Sequence, residues 1–197
     1  GRAAPEFVLK VFSQYRHYCT SFPQFLGTLL ARTSAPVARQ PLLENLWEES
    51  GSGDAAQSHV AMLDRFLGSW SKALGLDGLK DEQPMAPVKS FVEDILQYLQ
   101  TASLPAAFGF VGPGTEEITS EQYEALLVGL RSYNLVDESA LEFFSTHIAA
   151  DIKHADTFWD ALDHVVKVEA DWEDVGRGAK KSLSRETRFW NEMADLK

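Results

Sequence analysis

Apolar side chains recur every three or four residues along most of the chain, and the strict alternation that marks a half-buried strand is hard to find. This pattern predicts an all-α fold, a compact helical bundle with short connections. Pro, Gly and capping residues mark the helix boundaries. The predicted helices run from about Glu6 to Tyr18, from Ser21 or Pro23 to about Arg32, from near Pro41 through LLENLWEES, from an N-cap at Asp54 to about Leu74, from Pro87 to about Gln100, from a cap at Thr115 to about Tyr133, from a cap at Ser139 through the long segment that follows, and from about Lys180 to Asp195.

The length of 197 residues and the hydrophobic content of 45% suit one well-packed domain, so residues 1–197 are predicted to form a single helical domain. The formal net charge is -11, and Lys and Arg are scattered along the chain. Phosphate backbones and anionic membrane surfaces attract basic proteins, so neither nucleic acid nor a membrane is expected as a partner.

Cysteine usage and hydropathy favour a cytoplasmic location. Cys19 is the single cysteine, which excludes an intrachain disulfide and a multi-cysteine zinc or iron–sulfur site. No apolar run approaches the roughly 20 residues needed to span a bilayer. The first ten residues, GRAAPEFVLK, have no secretory apolar segment.

The segment FFSTHIAADIKHADTFW carries His147, Asp151 and His154 within one narrow stripe, because a helix turns about 100° per residue. Phe143 and Phe158 lie on the same side, and the acidic and basic residues lie opposite. The three ionisable groups therefore point into the interior. An unpaired carboxylate there is costly, and imidazole nitrogens need partners.

Two interpretations of this stripe remain open. A hydrogen-bonded His–Asp pair with the other histidine at a helix end would be purely structural. A bound metal would satisfy all three groups, because imidazole and carboxylate suit iron, manganese or zinc and a helix presents them at these spacings. The number of inward groups favours the metal.

A second cluster supports the metal. His59 lies among apolar residues of its helix, and Glu49 precedes it by ten residues across a Gly-rich break, with Glu48 as the competitor for the same role. In GPGTEEIT, Glu116 or Glu117 is a further carboxylate, although either would also suit the first turn of a helix. Three histidines and three carboxylates from several helices are what a dinuclear site in a bundle needs.

With these motifs, the sequence resembles the haem-oxygenase-like di-iron oxidases and oxygenases, relatives of the chlamydial protein associated with death domains. The most specific match is His-x3-Asp-x2-His, here His147, Asp151 and His154. The others are the Glu49–His59 pair and a lone upstream Glu, for which Glu116 fits better than Glu117. The resemblance covers about residues 7 to 165. It implies the seven-helix fold shared with thiaminase II and pyrroloquinoline-quinone synthase, which lack this complete metal set.

The resemblance further implies two bound irons, one of them labile, with O2 as co-substrate and a small amine, amino acid or carboxylic acid as substrate. The expected reactions are N-oxygenation, desaturation and oxidative C–C cleavage. An extra Glu ligand that some N-oxygenating members carry on the first long helix is not evident here, which counts against N-oxygenation. The substrate pocket is expected to have a wall of Phe143, Phe144 and Phe158, and a homodimer is left open.

Three alternatives remain at the level of sequence. The chain could be a metal-free relative that serves as a binding module, or a cofactorless enzyme of the same fold. A genuine haem oxygenase would need an axial histidine near the N-terminus, for which His17 is the candidate.

Overall fold

The structure is a computed structural model that describes residues 3–76 and 82–196. Within these ranges every regular element is helical, so the predicted all-α class is confirmed. The α-helices are α1 (Pro5–Arg32), α2 (Pro36–Glu49), α3 (His59–Ala73), α4 (Ala86–Thr101), α5 (Leu104–Val111), α6 (Glu117–Arg131), α7 (Glu142–Val165) and α8 (Glu169–Ala194).

Helices α5 and α6 form one rod, because the π-helical turn Gly112–Glu116 joins them. The predicted helix start at Thr115 is therefore wrong, and the Thr115 hydroxyl donates instead to the carbonyl of Phe110 at 3.0 Å. Gly112 serves close packing rather than termination, since a Cβ there would lie 2.6 Å from the Cβ of Phe158 on α7. When α5 and α6 are counted as one continuous helical unit, the described residues form seven such units.

Helix α1 is continuous, whereas the sequence pattern predicted two helices separated near Ser21. Pro23 lies inside it and removes one backbone hydrogen bond, which normally costs about 3 kcal/mol. Residues on both sides of the proline are buried in the core, among them Cys19, Phe25 and Leu26. Burial on both sides of Pro23 offsets this cost and keeps the two halves of the helix aligned.

Two further helices begin earlier than predicted. Helix α2 starts at Pro36 rather than near Pro41, because Pro36 occupies the first turn, where a proline needs no hydrogen-bond donor. Helix α8 starts at Glu169 rather than near Lys180. The carboxylate of Asp171 accepts the backbone N–H of Lys167 at 2.6 Å, which stabilises the start of the acid-rich first turns.

The remaining boundaries lie close to the predictions. The predicted cap at Asp54 is wrong for α3: Asp54 caps a short 3₁₀ turn by accepting the N–H of Ala56 at 3.0 Å, and the Ser58 side chain caps α3. Ser139 lies within a 3₁₀ turn rather than capping α7. Helix α4 contains Pro87 in its first turn, as predicted. Part of the predicted loop before it, residues 77–81, lies outside the described residues.

Helix α7 packs against α2, α3, α5 and α6. Its aromatic side chains join the core; Phe144 makes edge-to-face contacts with Phe12 and Phe66 at centroid distances of 5.3 and 5.1 Å. The polar stripe of α7 is therefore enclosed by neighbouring helices. Within the described ranges, no helix combines the length and the apolar character that crossing a bilayer requires.

Candidate metal centre

Helix α7 directs His147, Asp151 and His154 into the bundle, and all three are buried. The structure divides this stripe between two groups of residues. His147 faces the junction of α2 and α3, whereas Asp151 and His154 face Glu116 at the end of the π-helical turn.

The first group, called here the first triad, consists of Glu49, His59 and His147. One potential ligand atom from each residue lies within 4.8 Å of the others. The Glu49 carboxylate lies 2.8 Å from Nδ1 of His59, and the His59 and His147 rings have centroids 4.2 Å apart.

The turn between α2 and α3 brings Glu49 and His59 together. Gly51 has a φ of +88°, a conformation that favours glycine, and a Cβ there would lie 2.1 Å from the carbonyl oxygen of Asp54. The chain therefore reverses tightly after Glu49, and His59 is the first residue of α3. The Gly-rich break in the sequence corresponds to this reversal.

The second triad consists of Glu116, Asp151 and His154, again with potential ligand atoms within 4.8 Å of one another. Nδ1 of His154 lies 3.3 Å from Oδ1 of Asp151 and 3.4 Å from Oε2 of Glu116. It is nevertheless buried without a hydrogen-bond partner.

Hydrogen bonds to the opposite ring nitrogens determine which nitrogen faces each triad. Nδ1 of His147 donates to the carbonyl of Phe143 at 2.6 Å, which leaves Nε2 as the acceptor atom. Nε2 of His154 donates to Glu48 at 2.8 Å, and Lys153 donates to the other oxygen of Glu48 at 3.0 Å. Glu48 thus contacts the back of His154, and Glu49, its competitor in the sequence, is the residue of the first triad.

The structure also distinguishes the environments of Glu116 and Glu117. Glu117 accepts a hydrogen bond from the Trp159 indole at 3.2 Å near the surface. Glu116 is buried and accepts a hydrogen bond of 2.6 Å from the amide of Asn45. Sequence reasoning missed Asn45, although its position four residues before Glu49 placed both on one face of α2.

Burial and neighbouring charges perturb the protonation of the centre. Burial lowers the pKa of His147 to about 3. Burial alone would also lower the pKa of His154, but the carboxylates of Asp151, Glu116 and Glu48 outweigh it and raise that pKa to about 11. Burial raises the pKa of Asp151. The carboxylates around His154 therefore favour a positive charge at this buried position, which a metal ion would also supply.

The residues present fit a metal centre. Nδ1 of His154 is buried between two carboxylates without a hydrogen-bond partner, and release of its proton would expose a lone pair to a metal ion bound there. The first triad offers two imidazoles and one carboxylate, and the second offers one imidazole and two carboxylates. Mixed imidazole and carboxylate ligands without thiolate suit iron or manganese.

A cavity of about 30 Å³ adjoins the centre. Besides residues of both triads, it is lined by Tyr15, Tyr18, Cys19, Phe22, Thr115, Thr119, Tyr123 and Phe143. The hydroxyls of Tyr15 and Tyr123 are 2.7 Å apart. Four of the lining residues come from α1 at spacings of three and four residues, a periodic signal that sequence reasoning left unused.

Of the three phenylalanines predicted to form the cavity wall, Phe143 lines the cavity. The prediction is wrong for Phe144 and Phe158, which pack within the core. His17, the axial candidate of the haem alternative, makes a 2.8 Å hydrogen bond to the carbonyl of Glu82 at the surface. It lies apart from the two triads and from the cavity lining.

The model of a family described as iron-containing redox enzymes matches residues 9–187. A search of curated proteins found no match.

Two solved structures resemble the chain closely in fold. A CADD-like protein of unknown function from Nostoc punctiforme superposes with a TM-score of 0.78 at 17% identity, covering 98% of this chain and 80% of that one. A domain of unknown function with a heme oxygenase-like fold from Shewanella denitrificans superposes with a TM-score of 0.73 at 17% identity, covering 98% and 79%. At these identities the likeness shows a heme oxygenase-like fold, as the sequence predicted.

Proposed function

The chain belongs to the family of iron-containing redox enzymes, and from that premise we propose that it is a non-haem di-iron oxidase or oxygenase that uses O2 to oxidise a small organic substrate. One observation carries the proposal: six buried imidazole and carboxylate side chains form two adjacent triads beside a cavity. Each triad would hold one iron, and Glu49, His59, Glu116, His147, Asp151 and His154 are the proposed ligands.

Bound ferrous ions would supply the electrons and the open coordination positions that reduction of O2 requires. The protein's own contribution begins with ligand orientation. The Phe143 carbonyl and Glu48 hold the rings of His147 and His154, and Asn45 holds Glu116. Such outer contacts fix the tautomer and the direction of each ligand.

The cavity supplies the second contribution. Its aromatic wall, which includes Tyr123 and Phe143, would limit the access of water to a centre whose six proposed ligands are buried. The hydrogen-bonded hydroxyls of Tyr15 and Tyr123 offer a polar contact on the cavity wall. N-oxygenation, desaturation and oxidative C–C cleavage are the proposed reaction types for an amine, amino acid or carboxylic acid held there.

Anaerobic reconstitution with Fe(II) tests the proposal. We expect about two irons per chain and O2 consumption that a pool of amino acids, amines or carboxylic acids accelerates. His147→Ala and Asp151→Ala should abolish O2 consumption without loss of helical content, because each removes a proposed ligand. The exposed His164 lies on the same helix, so His164→Ala is the matched control and should retain activity.

Failure of the folded protein to take up iron would contradict the proposal and favour a metal-free relative. Near-wild-type turnover by either ligand variant would contradict the ligand assignment.

A further inference from the structure

The cavity beside the centre is smaller than any organic substrate. Its volume is about 30 Å³, and a cavity needs roughly 10–15 Å³ to hold one water molecule. Pockets that bind small organic ligands usually measure about 300–1,000 Å³. The cavity therefore has room for a molecule the size of water or O2, and an organic substrate can reach the centre only if part of the wall moves.

Solvent exposure identifies the part of the wall that can move. Most of the lining residues are buried, among them those that belong to the two triads. Among the described lining residues, Tyr18, Phe22 and Thr119 are the partly exposed ones, so the cavity comes nearest to the surface between α1 and α6. Thr119 is small, and its hydroxyl donates to the carbonyl of Thr115 at 2.8 Å within α6. The outer wall therefore depends on the two aromatic rings of α1.

Phe22 is the less tightly packed of these two rings. The ring of Tyr18 packs against Tyr15 and Phe91, with a centroid distance of 5.3 Å in each case. Phe22 contacts Tyr18 and Phe25 at the longer centroid distances of 6.1 and 6.0 Å. Phe22 is therefore the aromatic side chain of the wall that can rotate toward solvent at the lowest cost in packing.

The backbone next to Phe22 also carries one restraint fewer than an ordinary helix. Pro23 follows Phe22 directly and has no N–H to donate to the carbonyl of Cys19, one turn earlier. Cys19 is buried and lines the same cavity. Because both halves of α1 pack in the core, the helix stays aligned and the movement is confined to the Phe22 side chain.

We propose that Phe22 is the gate of the cavity and a specificity-determining residue. With its ring in the wall the cavity admits only molecules the size of O2, and rotation of the ring toward solvent opens the cavity to an organic substrate. This inference rests on the proposed function for the kind of molecule that enters, and it adds the route of entry and a size limit. Closure of the ring behind the substrate would shield the reaction from water.

Cys19 reports on access to the cavity, because it is the single cysteine and lines the buried side of the wall. The test follows, by mass spectrometry of the full chain, the rates at which methyl and benzyl methanethiosulfonate modify Cys19. With either reagent the thiolate attacks the sulfenyl sulfur, a mixed disulfide forms and methanesulfinate leaves. The reagents differ in the size of the transferred group, so the ratio of their rates is independent of the pKa of the thiol.

Phe22→Ala should raise the rate with the benzyl reagent by at least about tenfold, and the benzyl-to-methyl ratio should rise with it. Phe7→Ala is the matched control, because Phe7 is a partly buried phenylalanine of the same helix outside the cavity lining. It should leave both rates within about twofold of wild type. Phe22→Leu keeps an apolar side chain without the ring; it should raise the benzyl rate by about threefold and serves also if Phe22→Ala fails to fold.

Wild-type labelling rates in the folded Phe22 variants would overturn the proposal, because the reagents would then enter elsewhere. Equal acceleration by Phe7→Ala and Phe22→Ala would overturn it as well, since general loosening of α1 would explain both.

The labelling needs no metal, so iron uptake and O2 consumption are measured separately on the same variants. Labelling that depends on Phe22 in a protein that takes up no iron supports the gate and refutes the oxidase. Labelling that is indifferent to Phe22 in a protein that binds two irons refutes the gate and leaves the oxidase proposal standing.

Discussion

Glu48 and Glu49 are consecutive residues, yet their carboxylates contact different parts of the centre. Glu49 lies in the first triad, 2.8 Å from Nδ1 of His59, whereas Glu48 accepts a hydrogen bond from Nε2 of His154 behind the second triad. We therefore expect distinct defects from the two alanine variants. Glu49→Ala should lose one of two irons, and Glu48→Ala should retain both but bind one more weakly.

The structure sets the expected magnitudes. The side chain of Glu49 is 7% exposed and is the single carboxylate of its triad, so its removal leaves two neutral imidazoles and no anionic ligand. Loss of an outer hydrogen bond to a ligand costs about 10–100-fold in metal affinity, or about 1.4–2.7 kcal/mol.

For Glu48→Ala we expect the lower end, about tenfold, because Glu48 is 29% exposed and water can replace its oxygen. Glu48→Gln keeps an acceptor oxygen and should stay within about threefold of wild type.

The assay is an anaerobic titration with Fe(II) against a competing chelator, followed by an iron count after desalting. Circular dichroism checks that each variant retains its helices. If Glu48→Ala loses one iron outright while Glu49→Ala keeps two tightly bound irons, the assignment of the adjacent carboxylates is reversed. Identical titrations for both variants would show that neither carboxylate acts as described.

Two further predictions concern stability. Gly178→Ala should lower the free energy of unfolding in urea by about 1–3 kcal/mol, because a Cβ there would lie 2.0 Å from the carbonyl oxygen of Ala106. Gly176→Ala, where a Cβ would have no atom within 4 Å, should raise it by about 0.5–1 kcal/mol. Equal effects of the two substitutions would contradict the packing of α5 on α8. Burial raises the pKa of Glu186 to about 7 from an ordinary value of 4.5, so folding favours the protonated form. As the pH rises from about 4 to 8, the free energy of unfolding of wild type should therefore fall by roughly 3 kcal/mol relative to that of Glu186→Gln. Parallel stability profiles of the two proteins over this range would refute the shift.

The sequence alone predicted the all-α class and the inward stripe of His147, Asp151 and His154, because both follow from the 3.6-residue period of a helix. His59 was predicted to face inward for the same reason, and it is buried. Local signals failed where packing outweighed them: α1 continues through Pro23, and the GPG segment before Thr115 becomes a π-helical turn.

Only the tertiary structure decided how the polar residues combine. It placed Glu49 rather than Glu48, and Glu116 rather than Glu117, in the two triads. It also brought Asn45 into hydrogen-bond contact with Glu116, 71 positions away in the chain. Helical period determines which residues share a face, but the contacts of that face depend on the packing of helices distant in sequence, which no local pattern encodes.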